Sequence, residues 1–95
     1  MAQEKEHYLS RMHEKINEWD AKIQELEAKA QSADGSTKEA LEEQLAVLRE
    51  KRERVMVKYE EVKEASGESW DDIQHGLEHA AKDFQEALTH AFSKS

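Results

Sequence analysis

Two histidines in the C-terminal part of the chain have the spacing of a metal-binding pair. His75 and His79 are four residues apart, which places both imidazoles on one face of a helix, within reach of a single ion. Asp72, Glu78 and Asp83 lie close enough in sequence to supply a third ligand. One hypothesis is therefore a helical module that binds Zn, Cu or Ni, although two histidines without an established third ligand are more often a surface feature.

No other set of side chains predicts chemistry. The chain has no cysteine, which excludes a disulfide, a thiol nucleophile and a thiolate metal site. It contains no glycine-rich phosphate loop, and its serines cluster near predicted helix ends. Carboxylates are abundant, and they give the chain a formal net charge of −8. We therefore expect a protein that is not an enzyme and that requires no cofactor.

Apolar residues recur in two long stripes that predict two helices. In the first stripe the spacing alternates between three and four residues, through Leu9, Met12, Ile16, Trp19, Ile23, Leu26, Ala30 and Ala33. The second stripe alternates in the same way, through Leu41, Leu45, Leu48, Arg52, Val55, Tyr59, Val62 and Ser66. Such heptads are typical of helices that pack through their a and d positions. We expect these helices over about residues 3–33 and 37–65.

The residues between the two stripes predict a tight reversal of the chain. Asp34 and Gly35 signal a turn, in which Gly35 takes the left-handed conformation that ends a helix. Ser36 and Glu39 have the spacing of a capping box for the next helix. Residues whose numbers sum to 71 then lie opposite each other, and this sum pairs an a position with a d position throughout. The two helices are expected to form an antiparallel coiled-coil hairpin about 45 Å long.

This register places a cation, Arg52, opposite Trp19 in the apolar seam. Stacking on the indole and pairing with a carboxylate such as that of Glu18 would offset the cost of burying the charge. We interpret Trp19 and Arg52 as fixing the register, because a polar residue at one core position specifies alignment. The neighbouring basic residues alternate with glutamates and are interpreted as a solvated, salt-bridged face: Arg49, Lys51, Arg54 and Lys58.

A third apolar stripe starts at Trp70, one residue out of phase with the second. Its large residues are candidates for an interface: Trp70, Ile73, Leu77, Phe84 and Leu88. Gly67 as a helix end and Ser69 as an N-cap favour a separate helix over about residues 69–93, folded back to give a three-helix bundle. In the alternative, the second helix continues through a stutter and another chain covers its apolar face, as in a hairpin dimer. Either way we predict one all-α domain over residues 1–95.

Charge and length limit the partners that we expect. An acidic chain is a poor ligand for nucleic acid, and residues 66–95 carry six acids against two lysines, which disfavours an anionic lipid surface. We recognise neither a signal peptide nor a transmembrane segment and expect a cytoplasmic protein. Because 95 residues form only a marginal core, a homo-oligomer, with a dimer favoured, or pairing with another helical protein is expected.

The layout of the chain resembles a family of small bacterial coiled-coil proteins described as stress-response or late-embryogenesis-like. The shared features are the Glu18-Trp19 pair in a charged first helix, a short polar break, a second helix rich in Lys, Arg and Glu, and the Ser-Trp-Asp-Asp start of an alanine-rich tail. Within the segment from Glu68 to Leu88, the most distinctive part is the Trp70-Asp71-Asp72 start followed by Leu77, Ala80, Ala81 and Phe84. The resemblance implies a non-enzymatic, stress-associated protein and transfers no catalytic residue.

Overall fold

The computed structural model describes residues 2–65 and 70–94, and the prediction of an all-α fold is confirmed. Within these residues there are three helices and no strand: α1 (Ala2–Ser32), α2 (Gly35–Glu64) and α3 (Trp70–Lys94). Each boundary lies within two residues of the expected one. The regular alternation of apolar residues and the absence of proline allow helices of 31, 30 and 25 residues.

The helices lie along the length of the molecule. Its extents are 52 × 18 × 18 Å, and at a rise of about 1.5 Å per residue a helix of this kind is about 38 to 46 Å long. The three helices must therefore lie side by side. α2 packs against both α1 and α3, so it is the central element of the fold.

The junction between α1 and α2 is shorter than the sequence indicated. Gly35 has a φ of +61°, as predicted, but it is the first residue of α2 and not the residue that ends α1. The predicted capping box is wrong, because Ser36 lies inside the first turn and Asp34 occupies the N-cap position. The Asp34 side chain makes no capping hydrogen bond. A left-handed glycine therefore begins α2 where a serine cap was expected.

α2 and α3 are separate helices, which excludes the continuous second helix that was the alternative. α2 ends at Glu64, and Ala65 has an extended backbone, with φ −65° and ψ 143°. The Lys5 ammonium of α1 donates a hydrogen bond to the Ala65 carbonyl, which joins the start of α1 to the end of α2. The predicted turn at Gly67 and N-cap at Ser69 lie outside the described residues.

The core follows the three apolar stripes closely. The buried side chains are Tyr8, Met12, Ile16, Trp19, Ile23, Leu26 and Ala30 on α1, Leu41, Leu45, Leu48, Val55 and Val62 on α2, and Leu77, Phe84, Leu88 and Ala91 on α3. Leu9, which was expected to start the first stripe, is only half-buried, and its neighbour Tyr8 is buried in its place. No charged or polar residue is buried among the described residues.

Candidate functional site

Trp19 lies at the centre of the fold, whereas Arg52 lies at the edge. The Trp19 ring is 4.5 Å from the ring of Phe84, centroid to centroid, and its Nε1 donates to Oε1 of Gln85 at 3.1 Å. The Arg52 guanidinium is partly exposed and forms two hydrogen bonds with the carboxylate of Asp20, from Nε at 2.5 Å and from Nη2 at 3.1 Å. The carboxylate partner is thus Asp20, where the sequence suggested Glu18.

The bidentate contact gives Arg52 a defined role in the α1 to α2 contact. Its hydrogen bond to Asp20 raises the pKa of the guanidinium further above its ordinary value, so Arg52 stays charged over the accessible pH range. Planar fork-to-fork contacts are directional, and they fix both partners in one geometry. Arg52 therefore joins α1 to α2 from the rim of the seam, without the cost of a buried charge.

Every cation of the basic run on α2 is ion-paired. Two of the pairs lie within α2, from Arg54 to Glu50 at 3.1 Å and from Lys58 to Glu61 at 3.5 Å. The others cross to neighbouring helices: Arg49 to Glu27 at 3.4 Å, Arg52 to Asp20 at 2.5 Å, and Lys51 to Asp83 at 2.7 Å. The ammonium of Lys51 donates to the Asp83 carboxylate and thereby lowers the pKa of that carboxyl group. The interpretation as a salt-bridged face is confirmed, and the face also joins α2 to both neighbours.

The two histidines of the metal hypothesis are exposed on α3. His75 and His79 both face solvent, and Asp83, one of the suggested third ligands, is bound to Lys51. Among residues 2–65 and 70–94 no group of three His, Cys, Asp or Glu side chains is arranged to hold a metal ion. Metal binding by His75 and His79 stays a prediction, which calorimetric titration with zinc tests by comparing the protein with its His79→Ala variant.

The candidate interface residues of α3 mostly face the interior of the same chain. Leu77, Phe84 and Leu88 are buried against α1 and α2. Trp70 and Ile73 are half-buried, and the Trp70 ring meets the ring of Tyr8 edge-on, with 5.8 Å between centroids. α3 therefore completes the core of its own chain, and a partner would have to bind elsewhere on the surface.

One feature that the sequence did not predict is a groove between α1 and α3, here called the α1/α3 groove. It has a volume of about 530 Å³ and is lined on α1 by Tyr8, Arg11, Met12, Lys15 and Trp19, and on α3 by Glu78, Ala81, Lys82, Gln85 and Glu86. Periodicity along one helix contains no information about the space left between two helices. The signal available was the pair Arg11 and Lys15, which are four residues apart beside the apolar stripe.

Tyr8 in the wall of this groove has an unusual hydroxyl. The side chain is 8% exposed, and its hydroxyl oxygen is buried without a hydrogen-bond partner among the described residues. Burial and the nearby carboxylate of Glu78 disfavour the phenolate and raise the pKa of Tyr8 to about 12. Tyr8 therefore remains neutral at any ordinary pH.

A second groove, the α2/α3 groove, lies on the opposite side of α3. Its volume is about 350 Å³, and its lining residues are Glu53, Arg54, Val57, Lys58, Gly76, His79, Ala80 and Asp83. Val57 is 51% exposed, more than any other large hydrophobic side chain described as exposed. Gly76 and Ala80 are small residues of α3 in this groove, and the Lys58 side chain lies over Gly76.

Comparisons with known proteins do not place the chain in a family. No family model, no curated protein and no solved structure matches it. Among the described residues, no helix is both long enough and apolar enough to span a membrane.

Proposed function

We propose that the protein is a non-enzymatic structural or interaction protein that assembles with a second copy of itself through the α2/α3 groove. The observation that carries the proposal is the exposure of Val57, which lines this groove. Fully burying a valine side chain contributes about 1.5–3 kcal/mol. Val57 is 51% exposed, so covering it would contribute about half of that in each copy, and a two-fold axis would cover two of them at once.

The charges around Val57 support self-association at this place. The chain as a whole carries −8, so two copies repel each other over most of their surfaces. Glu53 and Asp83 balance Arg54 and Lys58 in the α2/α3 groove, which leaves it close to neutral. A nearly neutral patch with both signs of charge lets two copies meet with the least repulsion and pair opposite charges.

Within each copy, we propose that α1 and α2 form an antiparallel hairpin of the coiled-coil type, which α3 completes as a three-helix bundle. The support is the strict heptad spacing of the first two stripes together with the burial of the same residues. The cross-helix pair of Arg52 and Asp20 lies one residue from the predicted register.

The test is the absolute mass in solution, measured by light scattering after size exclusion over a series of concentrations. We expect a mass that rises toward twice the chain mass of 11.0 kDa. Val57→Glu should shift the protein to the monomer, because it places a charge in the contact. Val47→Glu is the matched control: Val47 is also exposed, at 41%, on the same helix, but it does not line the α2/α3 groove. A mass of one chain at every concentration, or equal dissociation by both variants, would contradict the proposal.

We further propose a stress-associated role in the cytoplasm, which rests on the resemblance and composition described above. The measurements are the abundance of the protein under heat, osmotic and oxidative stress, its distribution after cell fractionation, and the survival of a deletion strain. Constant abundance together with unchanged survival would contradict this role.

A further inference from the structure

The α1/α3 groove has the size and shape of a site for a small elongated molecule. Its volume of about 530 Å³ lies within the range of about 300–1,000 Å³ that is typical of small-molecule sites. From Tyr8 to Trp19 the α1 wall rises by about 16 Å, at about 1.5 Å per residue. The groove is thus longer than it is wide, because it follows two helices that run side by side.

The inner surface of the groove is apolar. Met12 and Trp19 are buried at 5% and 4% exposure, and Ala81 opposite them is half-buried. The hydrogen bond from Trp19 to Gln85 joins the two walls at one end of the groove. Because Met12 and Trp19 expose little surface, an aliphatic chain placed here would cover mainly Ala81 and the aliphatic stems of Arg11, Lys15 and Lys82.

The rim of the groove is basic, and its cations are not neutralised by ion pairs. Arg11 and Lys15 on α1 and Lys82 on α3 are exposed, and within the described part of the chain none of them has a carboxylate within 4.0 Å. Glu78 and Glu86 flank Lys82 along α3, so the excess of positive charge lies on the α1 wall.

The α2/α3 groove provides a contrast within the same protein. Its cations, Arg54 and Lys58, are both paired with glutamates of their own helix. The chain as a whole carries −8, so an anion is attracted only where cations are locally in excess. At the α1/α3 groove such cations lie beside an apolar surface, which favours an anion that also has an apolar part.

We propose that the α1/α3 groove binds a free single-chain fatty acid, with its carboxylate at Arg11 and Lys15 and its aliphatic chain along Met12, Trp19 and Ala81. This activity goes beyond the proposed self-association and uses a different groove. A ligand held between α1 and α3 would also stabilise the contact between these two helices, because it binds only the folded protein.

The test is calorimetric titration of the full-length protein with dodecanoate, below its critical micelle concentration. We expect saturable binding of one dodecanoate per chain in the micromolar range, weakened by added NaCl because salt screens exposed charges. Dodecanol, which has the same chain and no charge, should bind more weakly. Quenching of Trp19 fluorescence in a Trp70→Phe variant reports that the ligand occupies this groove and no other.

The charge of the rim is tested with two double variants of equal net charge. Arg11→Gln/Lys15→Gln should weaken dodecanoate binding about fivefold, which corresponds to about 1 kcal/mol for two exposed charge contacts. Lys22→Gln/Lys63→Gln removes two exposed lysines that do not line the groove, and it should leave the affinity unchanged. Circular dichroism checks that both variants fold.

Several results would overturn the proposal. These are no saturable binding below millimolar dodecanoate, equal affinity for dodecanoate and dodecanol, and equal effects of the two double variants. Binding to phosphatidylglycerol vesicles in place of free dodecanoate would also overturn it, since it would assign the basic rim to a membrane surface. The mass measurements on the Val57→Glu variant are independent of all these results, so the two proposals can fail separately.

Discussion

Replacing Tyr8 by phenylalanine is expected to stabilise the protein, because the tyrosine hydroxyl is buried and has no hydrogen-bond partner among the described residues. In the unfolded chain this hydroxyl bonds to water, and on folding it loses that bond without a replacement. Phenylalanine keeps the ring, and with it the edge-on contact with Trp70, while removing the group that bears the cost.

The magnitude follows from the cost of an unsatisfied buried polar group, which is about 1–3 kcal/mol. Removing one oxygen atom also removes some packing contacts, which offsets part of the gain. We therefore expect Tyr8→Phe to raise the free energy of unfolding by about 1 kcal/mol. For a urea dependence of about 1–3 kcal/mol/M, the midpoint should rise by about 0.3–1 M.

The assay is equilibrium unfolding in urea, followed by far-ultraviolet circular dichroism at a fixed protein concentration. Tyr59→Phe is the matched control, because Tyr59 packs against the same core but its hydroxyl is not buried without a partner. Its effect should lie within about 0.5 kcal/mol of zero. A loss of stability in Tyr8→Phe, with Tyr59→Phe unchanged, would show that the Tyr8 hydroxyl has a bonding partner in solution and would refute the reasoning.

A pH series provides a second readout of the same group. The folded state raises the pKa of Tyr8 from 10.0 to about 12, so folding favours the neutral phenol. The free energy of unfolding is therefore highest below pH 10, where Tyr8 is neutral in both states. It falls as the pH rises from 10 through about 12, because the tyrosine ionises first in the unfolded chain. The Tyr8→Phe variant should lose less stability than the wild-type protein over this interval.

Three further substitutions test the backbone and the ion pairs. Gly35→Ala should cost about 1–2 kcal/mol in urea unfolding, because alanine is strained at a φ of +61° even though no atom blocks its Cβ. Gly76→Ala should instead stabilise the protein by up to about 1 kcal/mol, because alanine favours a regular helix and the new Cβ only touches the Lys58 side chain at 3.7 Å. Equal effects of the two glycine substitutions would contradict the backbone argument. Asp20→Asn breaks the bidentate contact with Arg52 and should lower the free energy of unfolding by about 1 kcal/mol at low salt, and by less in 1 M NaCl. Glu50→Gln is the control, because it breaks a pair within α2. The same cost for both variants would argue against a special role for the cross-helix contact.

The positions of the helices and most of the core could be predicted from the sequence. Heptad spacing identified the buried residues of α1 and α2 because neighbours three and four apart in a helix always share a face. The same logic misplaced the start of the first stripe, where Tyr8 is buried and Leu9 is half-buried. Near a helix end the neighbouring element decides which side chain is covered, and here Trp70 of α3 covers Tyr8.

The candidate sites could be predicted only in part. Trp19 was expected at the centre of the seam and is buried there, but Arg52 was expected inside the seam and lies at its rim with Asp20. The Arg52 side chain is long and flexible, so it pairs with the carboxylate that lies nearest on α1. Which carboxylate that is depends on the axial position of α1 relative to α2. Glu18 and Asp20 flank Trp19, the residue predicted opposite Arg52, and the structure pairs Arg52 with Asp20.

The sequence by itself determined that this protein is helical, where each helix runs and which face of each helix is apolar, because these properties depend on residues close together in the chain. Only the tertiary structure decided that α3 covers its own core, that Lys51 pairs with Asp83, and that Arg11 and Lys15, which have no ion pair within the described residues, line an apolar groove. These contacts depend on the rotation and axial shift of one helix relative to another. Many weak contacts along the whole interface set that geometry together, and no local pattern of residues records it.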